Sequence, residues 1–280
     1  MSLKEAARKT LALLEVGGYE TSDGAWVELG PQLRAAVAGS ELVRPKQLAA
    51  LLEREVEGAS ASPPTIEVTA ETTQIAAHRL MIDEGVEALA LLNFASARNP
   101  GGGFIRGAKA QEEDLARASA LHACLLAEAA QPYYRINRVE KSTLYTDHMI
   151  WSPRVPFFRT NSKNLLDQPF FPSVITAPAP NAGPYLSRGG KRRKLSECLV
   201  RRAGMVLALA RDKGQRNLLL GAWGCGVFQN HPPEVADAFG QWLEHPRFAG
   251  AFDRVVFAVY DRKGKTRAAF HSRFPREGLA

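Results

Sequence analysis

Five strand-length runs, separated by stretches of helical periodicity, leave this chain few ways to fold. They are TIEVTA (65–70), VEALALLNFA (86–95), SVITAPAP (173–180), RNLLLGAWG (216–224) and RVVFAVYD (254–261), most of them apolar at nearly every position. A strand with one wet face alternates, whereas a strand apolar throughout is buried on both faces. Between the runs, TTQIAAHRLMIDEG (72–85), AQEEDLARASALHACLLAEAA (110–130), 193–213 and 233–244 read as amphipathic helices, and a last helix follows residue 261. In the second of these, Leu115, Ala118, Leu121 and Leu125 share a face. Residues 131–172, rich in proline and aromatics, read as irregular apart from a strand at DHMIWSP. The alternation predicts an α/β sandwich, a sheet covered by helices on both sides.

Ahead of this pattern, residues 1–60 read as a helical extension. Leu3, Ala6, Ala7, Thr10, Leu11 and Leu14 fall at helical spacing, and Pro45 opens a second helix through KQLAALLEREVEG. SASPPT (60–65) is a break, so 61–280 is expected to form the core, within a single structural domain overall. The charges dispersed through MSLKEAARKTLALLEVGGY do not resemble a signal peptide, and no window is apolar enough to span a membrane. Three widely spaced cysteines, Cys124, Cys198 and Cys225, form no disulfide framework, which suits a cytoplasmic protein. A net charge of +7 favours a polyanionic ligand without choosing among phosphates, nucleic acid and acidic lipid.

In α/β sheets ligands bind beyond the carboxyl ends of the strands, and two glycine-rich loops lie at such ends here. GAWGCGVF (221–228) follows RNLLL; its glycines permit a nest of backbone N–H groups against which a diphosphate can sit. Trp223 and Phe228 could stack on a sugar or base, or equally belong to the core. NPGGGF (99–104) follows the second strand. Asn99, held extended by Pro100, has an amide able to grip hydroxyls, and Gly101, Gly102 and Gly103 allow close backbone approach. Seven residues separate Gly103 from Gln111, Glu112 and Glu113, which fall in the first turn of the next helix. Acids there complement the helix dipole. Successive helical residues point about 100° apart, so the two glutamates cannot share one task. None of the six histidines, His122, His148 and His231 among them, forms a ligand cluster, so neither metal nor cofactor is expected.

The glycine triplet, the short spacer and Gln-Glu-Glu resemble the catalytic signature of the poly(ADP-ribose) glycohydrolases. NFASARNPGGGF, AQEEDLARAS, VITAPAPN and GAWGCGVF together resemble the bacterial type of that family, from the leader helix to RVVFAV. The resemblance implies a macrodomain, a three-layer α/β/α fold with a central mixed sheet that binds ADP-ribose. It implies a metal-free hydrolase of ribose–ribose O-glycosidic bonds, acting mainly from chain ends and as a monomer. Glu113 would be the catalytic acid and base, Glu112 would hold ribose hydroxyls, and Gln111 would shape the site. Asn99, Gly101, Gly102, Gly103 and Phe104 would line the ligand on one side. On the other, Ala222, Trp223, Gly224, Cys225, Gly226 and Val227 would cradle the diphosphate, and Phe228 would orient the distal ribose. Other branches carry Asn directly after Phe-Ala, where this chain has Ser96; Asn99 is the substitute. Tyr133 and Tyr134 are the candidates to clamp adenine.

Two rival readings remain at this level. A macrodomain that binds ADP-ribose or its polymer without cutting it would have no need of Gln-Glu-Glu. A nucleic-acid binder driven by the basic run RGGKRRKLSECLVRRAG (188–204) would show steep salt dependence and no preference for ADP-ribose. That run could instead grip further phosphates of a polymer. The expected partners are poly(ADP-ribose), ADP-ribose and ADP-ribosylated proteins, with no membrane and no specific nucleic acid.

Overall fold

A computed structural model describes residues 1–55 and 63–275. Residues 60–62 of the break expected at 60–65 lie outside them, and Thr65 already begins a strand. In chain order the elements begin with helix α1 (Leu3–Val16), the hairpin β1 (Gly18–Glu20) and β2 (Trp26–Glu28), α2 (Gly30–Ala38), β3 (Glu41–Val43) and α3 (Pro45–Glu53). Next come β4 (Thr65–Thr69), α4 (Thr73–His78), β5 (Leu89–Phe94), α5 (Gln111–Ala118), α6 (Leu121–Leu126) and α7 (Gln131–Val139). The chain continues through β6 (Met149–Ser152), β7 (Ser173–Ala177), α8 (Ala182–Ser187), α9 (Arg192–Asp212), β8 (Asn217–Gly221), α10 (Pro232–Leu243), β9 (Arg254–Ala258) and α11 (Lys265–Arg273).

The main sheet has seven strands in the order β3-β6-β7-β5-β8-β9-β4. The strands β7, β5, β8, β9 and β4 run parallel, and β6 is antiparallel to both its neighbours. Alternate side chains enter two separate cores, as a twofold strand period dictates. Ala90 and Leu92 of β5 face α3, α9 and α10; Leu89 and Leu91 face α4, α5 and α6. The result is the expected α/β/α sandwich with a mixed sheet. Among the described residues no helix is long and apolar enough to cross a membrane.

Three local expectations need correction. The stretch 1–60 is not helical throughout: β3 pairs with β6 and forms an edge of the main sheet. The helix expected over 110–130 is two helices. Ser119 is extended (φ −151°, ψ 177°), the Ala118 carbonyl accepts the N–H groups of Phe158 and Arg159, and Ser119 itself bridges Phe157. A carbonyl taken by another segment cannot continue the helical ladder. Residues 131–172 are not wholly irregular, since α7 starts with Pro132 in its first turn, where the missing N–H costs nothing.

Candidate active site

The site grows from a place where the sheet comes apart. β5 pairs with β8 only through Leu89, Ala90 and Leu91, whereas β8 stays paired to β9 as far as Gly221. Beyond Leu91 the backbone of β5 therefore faces a crevice instead of a strand. The Gln111 side chain meets that need: its Oε1 accepts the Phe94 N–H (2.9 Å) and its Nε2 donates to the Leu92 carbonyl (2.8 Å). Buried backbone polar groups must be paired. Gln111 thus stitches the first turn of α5 to the end of β5, and a further bond to Thr73 Oγ1 (3.2 Å) ties in α4.

Glu112 and Glu113 diverge from that anchor as helical geometry requires. Glu112 is buried, with its carboxylate accepting the Ser96 N–H (2.7 Å) and Asn93 Nδ2 (3.3 Å). Burial pushes its pKa up to about 8, aided by the neighbouring Glu113 and opposed by the bonds from Ser96, Asn93 and Gly101. Glu113 is half-buried and faces the opening, one oxygen accepting the Gly103 N–H (2.9 Å). Gly102 has a positive φ (+60°), and a Cβ there would collide with Glu113 Oε1. Gly102 is glycine because the carboxylate lies against its backbone, whereas a Cβ on Gly101 would crowd Phe104 and His122 and one on Gly103 would crowd Ala108.

Across the crevice, the 222–228 loop follows β8. Gly224 (φ +71°) is pressed against Asn230 and Ala179, so no side chain fits. Asn230, buried, holds the loop by donating to the carbonyls of Pro180 (2.8 Å) and Gly224 (3.1 Å). Trp223 N–H and Cys225 N–H bond within the turn, but those of Gly224, Gly226, Val227 and Phe228 meet no acceptor among the described residues. Four free N–H groups along one short loop are the donors that an anion-binding nest needs. Gly226 is exposed, with open space where its Cβ would be. The Cys225 thiol is pushed up to about 12 by burial, so it is no nucleophile at neutral pH.

A single cleft of about 870 Å³ is lined by both segments. Asn99, Gly102, Gly103, Gln111, Glu112 and Glu113 line one wall, and 222–228 the other. Gly101 and Phe104 do not join them. The Phe104 ring is buried against His122 (4.7 Å between ring centres) and packs with Ala7 and Ala116, behind the glycine loop. The Trp223 indole is also core, its N–H bonded to the Ala177 carbonyl (3.1 Å), leaving only backbone to offer a ligand. Phe228 is half-buried, its ring 5.9 Å from that of Tyr145. Tyr133 and Tyr134 cannot clamp a base: both are buried, edge to face, beneath the site.

Sequence reasoning missed four groups. Asn93 supports Glu112 from below, and a polar residue inside an apolar strand was its signal. The α4 start, including Thr73 and Gln74, also lines the cleft. So does Tyr260, an exposed ring just past β9. Arg106 and Lys109 bring positive charge to the mouth. Among the described residues, no three His, Cys, Asp or Glu side chains converge as metal ligands would.

Residues 7–160, more than half of the chain, match the family described as microbial-type PARG, catalytic domain, and both the glycine triplet and Gln-Glu-Glu lie inside the match. The chain belongs to the microbial-type poly(ADP-ribose) glycohydrolases. The glycohydrolase fold extends over nearly its full length. The crystal structure of the poly(ADP-ribose) glycohydrolase from Thermomonospora curvata is similar at 44% identity and a TM-score of 0.91, covering 97% of this chain and 99% of that one. The same enzyme bound to the inhibitor ADP-HPD gives 44% identity and a TM-score of 0.88 over the same shares. The glycohydrolase from Deinococcus radiodurans in complex with ADP-ribose is 46% identical, covering 87% of this chain and 96% of that one with a TM-score of 0.79. No curated protein matches the chain at a significant level. As a poly(ADP-ribose) glycohydrolase the protein is a glycoside hydrolase, on a macrodomain-like fold.

Proposed function

We propose that this glycohydrolase cuts poly(ADP-ribose) from its chain ends, with Glu113 as general acid and base. The observation that carries this reading is the shared cleft, in which the Glu113 carboxylate and the nest of free N–H groups face one ligand-sized space. The relatives that bind ADP-ribose and ADP-HPD support the ligand class. Gly224, Gly226, Val227 and Phe228 hold the diphosphate through their N–H groups, and the Phe228 ring orients the distal ribose. Protonated Glu113 gives its proton to the leaving ribose oxygen as the C1–O bond breaks through an oxocarbenium-like state. The diphosphate's negative charge favours that developing cation. Water then adds to C1 and returns a proton to Glu113. Glu112 holds ribose hydroxyls from below, and Asn99 contributes from the rim.

Residues 1–60 act as an extension packed on the 61–280 core. Thr10 Oγ1 donates to the Arg117 carbonyl (2.7 Å), and Ala7 packs on Phe104, so α1 braces both the glycine loop and α5. The enzyme works as a monomer on ADP-ribosylated proteins, in the cytoplasm of a bacterium responding to DNA damage. The bacterial relatives and three free cysteines support that setting.

Labelled polymer tests the chemistry. Glu113→Gln is expected to bind ADP-ribose as before and to hydrolyse polymer about 10³-fold or more slowly, the scale of lost general acid–base catalysis. Near-normal turnover by that variant would remove Glu113 from the role. Oligomers appearing before monomeric ADP-ribose would overturn action from chain ends.

A further inference from the structure

The densest charge on the molecule lies outside the cleft, on the ridge that joins α8 to α9. Arg188, Lys191, Arg192, Arg193 and Lys194 are all exposed. Arg192 pairs with Glu234 (3.4 Å) and Arg193 with Glu197 (2.8 Å). Among the described residues, Arg188, Lys191 and Lys194 meet no carboxylate. Packing does not account for these charges. Leu195, Cys198 and Leu199 form the buried face of α9, and the cations point away from it.

The ridge is joined to the diphosphate loop by a short covalent and hydrogen-bonded path. The Phe228 carbonyl accepts the N–H of Gly183 in α8 (3.2 Å). The six residues of α8 rise only about 9 Å. At its far end Gly190 N–H donates to the Tyr185 carbonyl (3.0 Å), and Gly190 lies flat against the Tyr185 ring, where any Cβ would clash. The glycine pair 189–190 thus turns the chain tightly against the end of α8, so the basic run begins one short helix away from the Phe228 contact. α9 has no acid in its first turn, so the positive end of its dipole adds to the same field.

We propose that this ridge is a second anion-binding surface, which holds the diphosphate of the polymer unit next to the one being cut. The proposal rests on the reading that the 222–228 loop holds the diphosphate of the unit under attack. Each unit carries one diphosphate, so a chain leaving the site beside Phe228 brings its next pair of phosphates toward α8 and the ridge. The consequence is a preference for substrate that carries a second diphosphate. ADP-ribose joined by the same ribose–ribose bond to adenosine fills the cleft but offers the ridge no phosphate, whereas a longer chain uses both.

The test compares the full-length protein with R188Q/K191Q/K194Q, which leaves both paired arginines in place. Steady-state kinetics are measured on long polymer and on the truncated substrate, ADP-ribose linked to adenosine, with ADP-ribose affinity measured by calorimetry. The expected result is a KM for long polymer raised on the order of tenfold, each exposed contact contributing about twofold. The kcat, the KM for the truncated substrate and ADP-ribose affinity stay unchanged, and the salt dependence of polymer KM becomes shallower. R188K/K191R/K194R should restore the parental KM. An unchanged polymer KM, or equal losses on the truncated substrate and polymer, overturns the proposal. So does a DNA oligonucleotide whose affinity falls in the triple variant while polymer hydrolysis does not, since the ridge would then be a nucleic-acid surface. The underlying loop reading fails separately, if Gly226→Val in the otherwise unaltered protein leaves ADP-ribose affinity intact.

Discussion

Glu112 is the residue in this site whose ionisation the fold itself controls. Its pKa of about 8 means that the native state keeps a proton there which the unfolded chain releases near pH 4.5. Below pH 4.5 both states are protonated and the side chain is neutral to stability. Between about 4.5 and 8 the native state binds the extra proton, so stability falls as pH rises, by about 1.4 kcal/mol per pH unit at the steepest. Above 8 the loss levels off. Glu112→Gln removes this slope, and the Asn93 amide, whose Oδ1 has no partner, can turn over to accept the new NH₂ group. Denaturant unfolding at pH 5 and pH 8 should show a smaller difference for the variant than for the parent. Equal differences would mean that Glu112 is ionised in the native state. That the two acids of Gln-Glu-Glu point apart and take different tasks was legible from helical geometry alone. Which of the two is buried was not, because that depends on Asn93 and Ser96 from β5 and the loop after it.

At the scale of elements, α9 does more than cover the sheet. Arg202, buried in its middle, donates to Asp147 (2.9 Å) and to the carbonyls of Pro178 (2.8 Å) and Leu144 (3.0 Å). One guanidinium therefore fixes the segment carrying Tyr145 and the turn after β7, both beside Phe228. Burial raises the Asp147 pKa, but Arg202 and Arg201 outweigh it and hold the carboxyl below its ordinary value. A depressed acid stabilises the fold above its unfolded pKa, and that contribution is lost as pH falls through the folded one. Arg202→Met should cost about 3 kcal/mol, read as a lower unfolding midpoint, because it leaves the Pro178 and Leu144 carbonyls without their donor and Asp147 with Arg201 alone. Arg202→Lys should not restore it, since an ammonium cannot span the same set of acceptors. A midpoint unchanged in either variant would show that the other contacts of these loops suffice. The helix itself was readable from its apolar spacing, but the inward-facing arginine was hidden among six other basic letters of RGGKRRKLSECLVRRAG.

For the whole molecule, the extension and the core share one interior. β3 closes the edge of the sheet, and α1 supplies Ala7 beneath Phe104. Removing residues 1–60 is expected to leave an insoluble or unfolded protein, as judged by soluble yield and circular dichroism. A soluble, active 61–280 fragment would argue that the extension is an accessory. The sandwich was legible because strands buried on both faces write a continuous apolar signal. β3 was not, since three residues are too short to set a period, and the break at Ser119 was hidden because a distant segment, Phe158–Arg159, causes it. The parting of β5 from β8 has a last consequence. The amide of Gln111 that darns this gap belongs to the same helical turn as the two acids, so any displacement of that seam carries both carboxylates along.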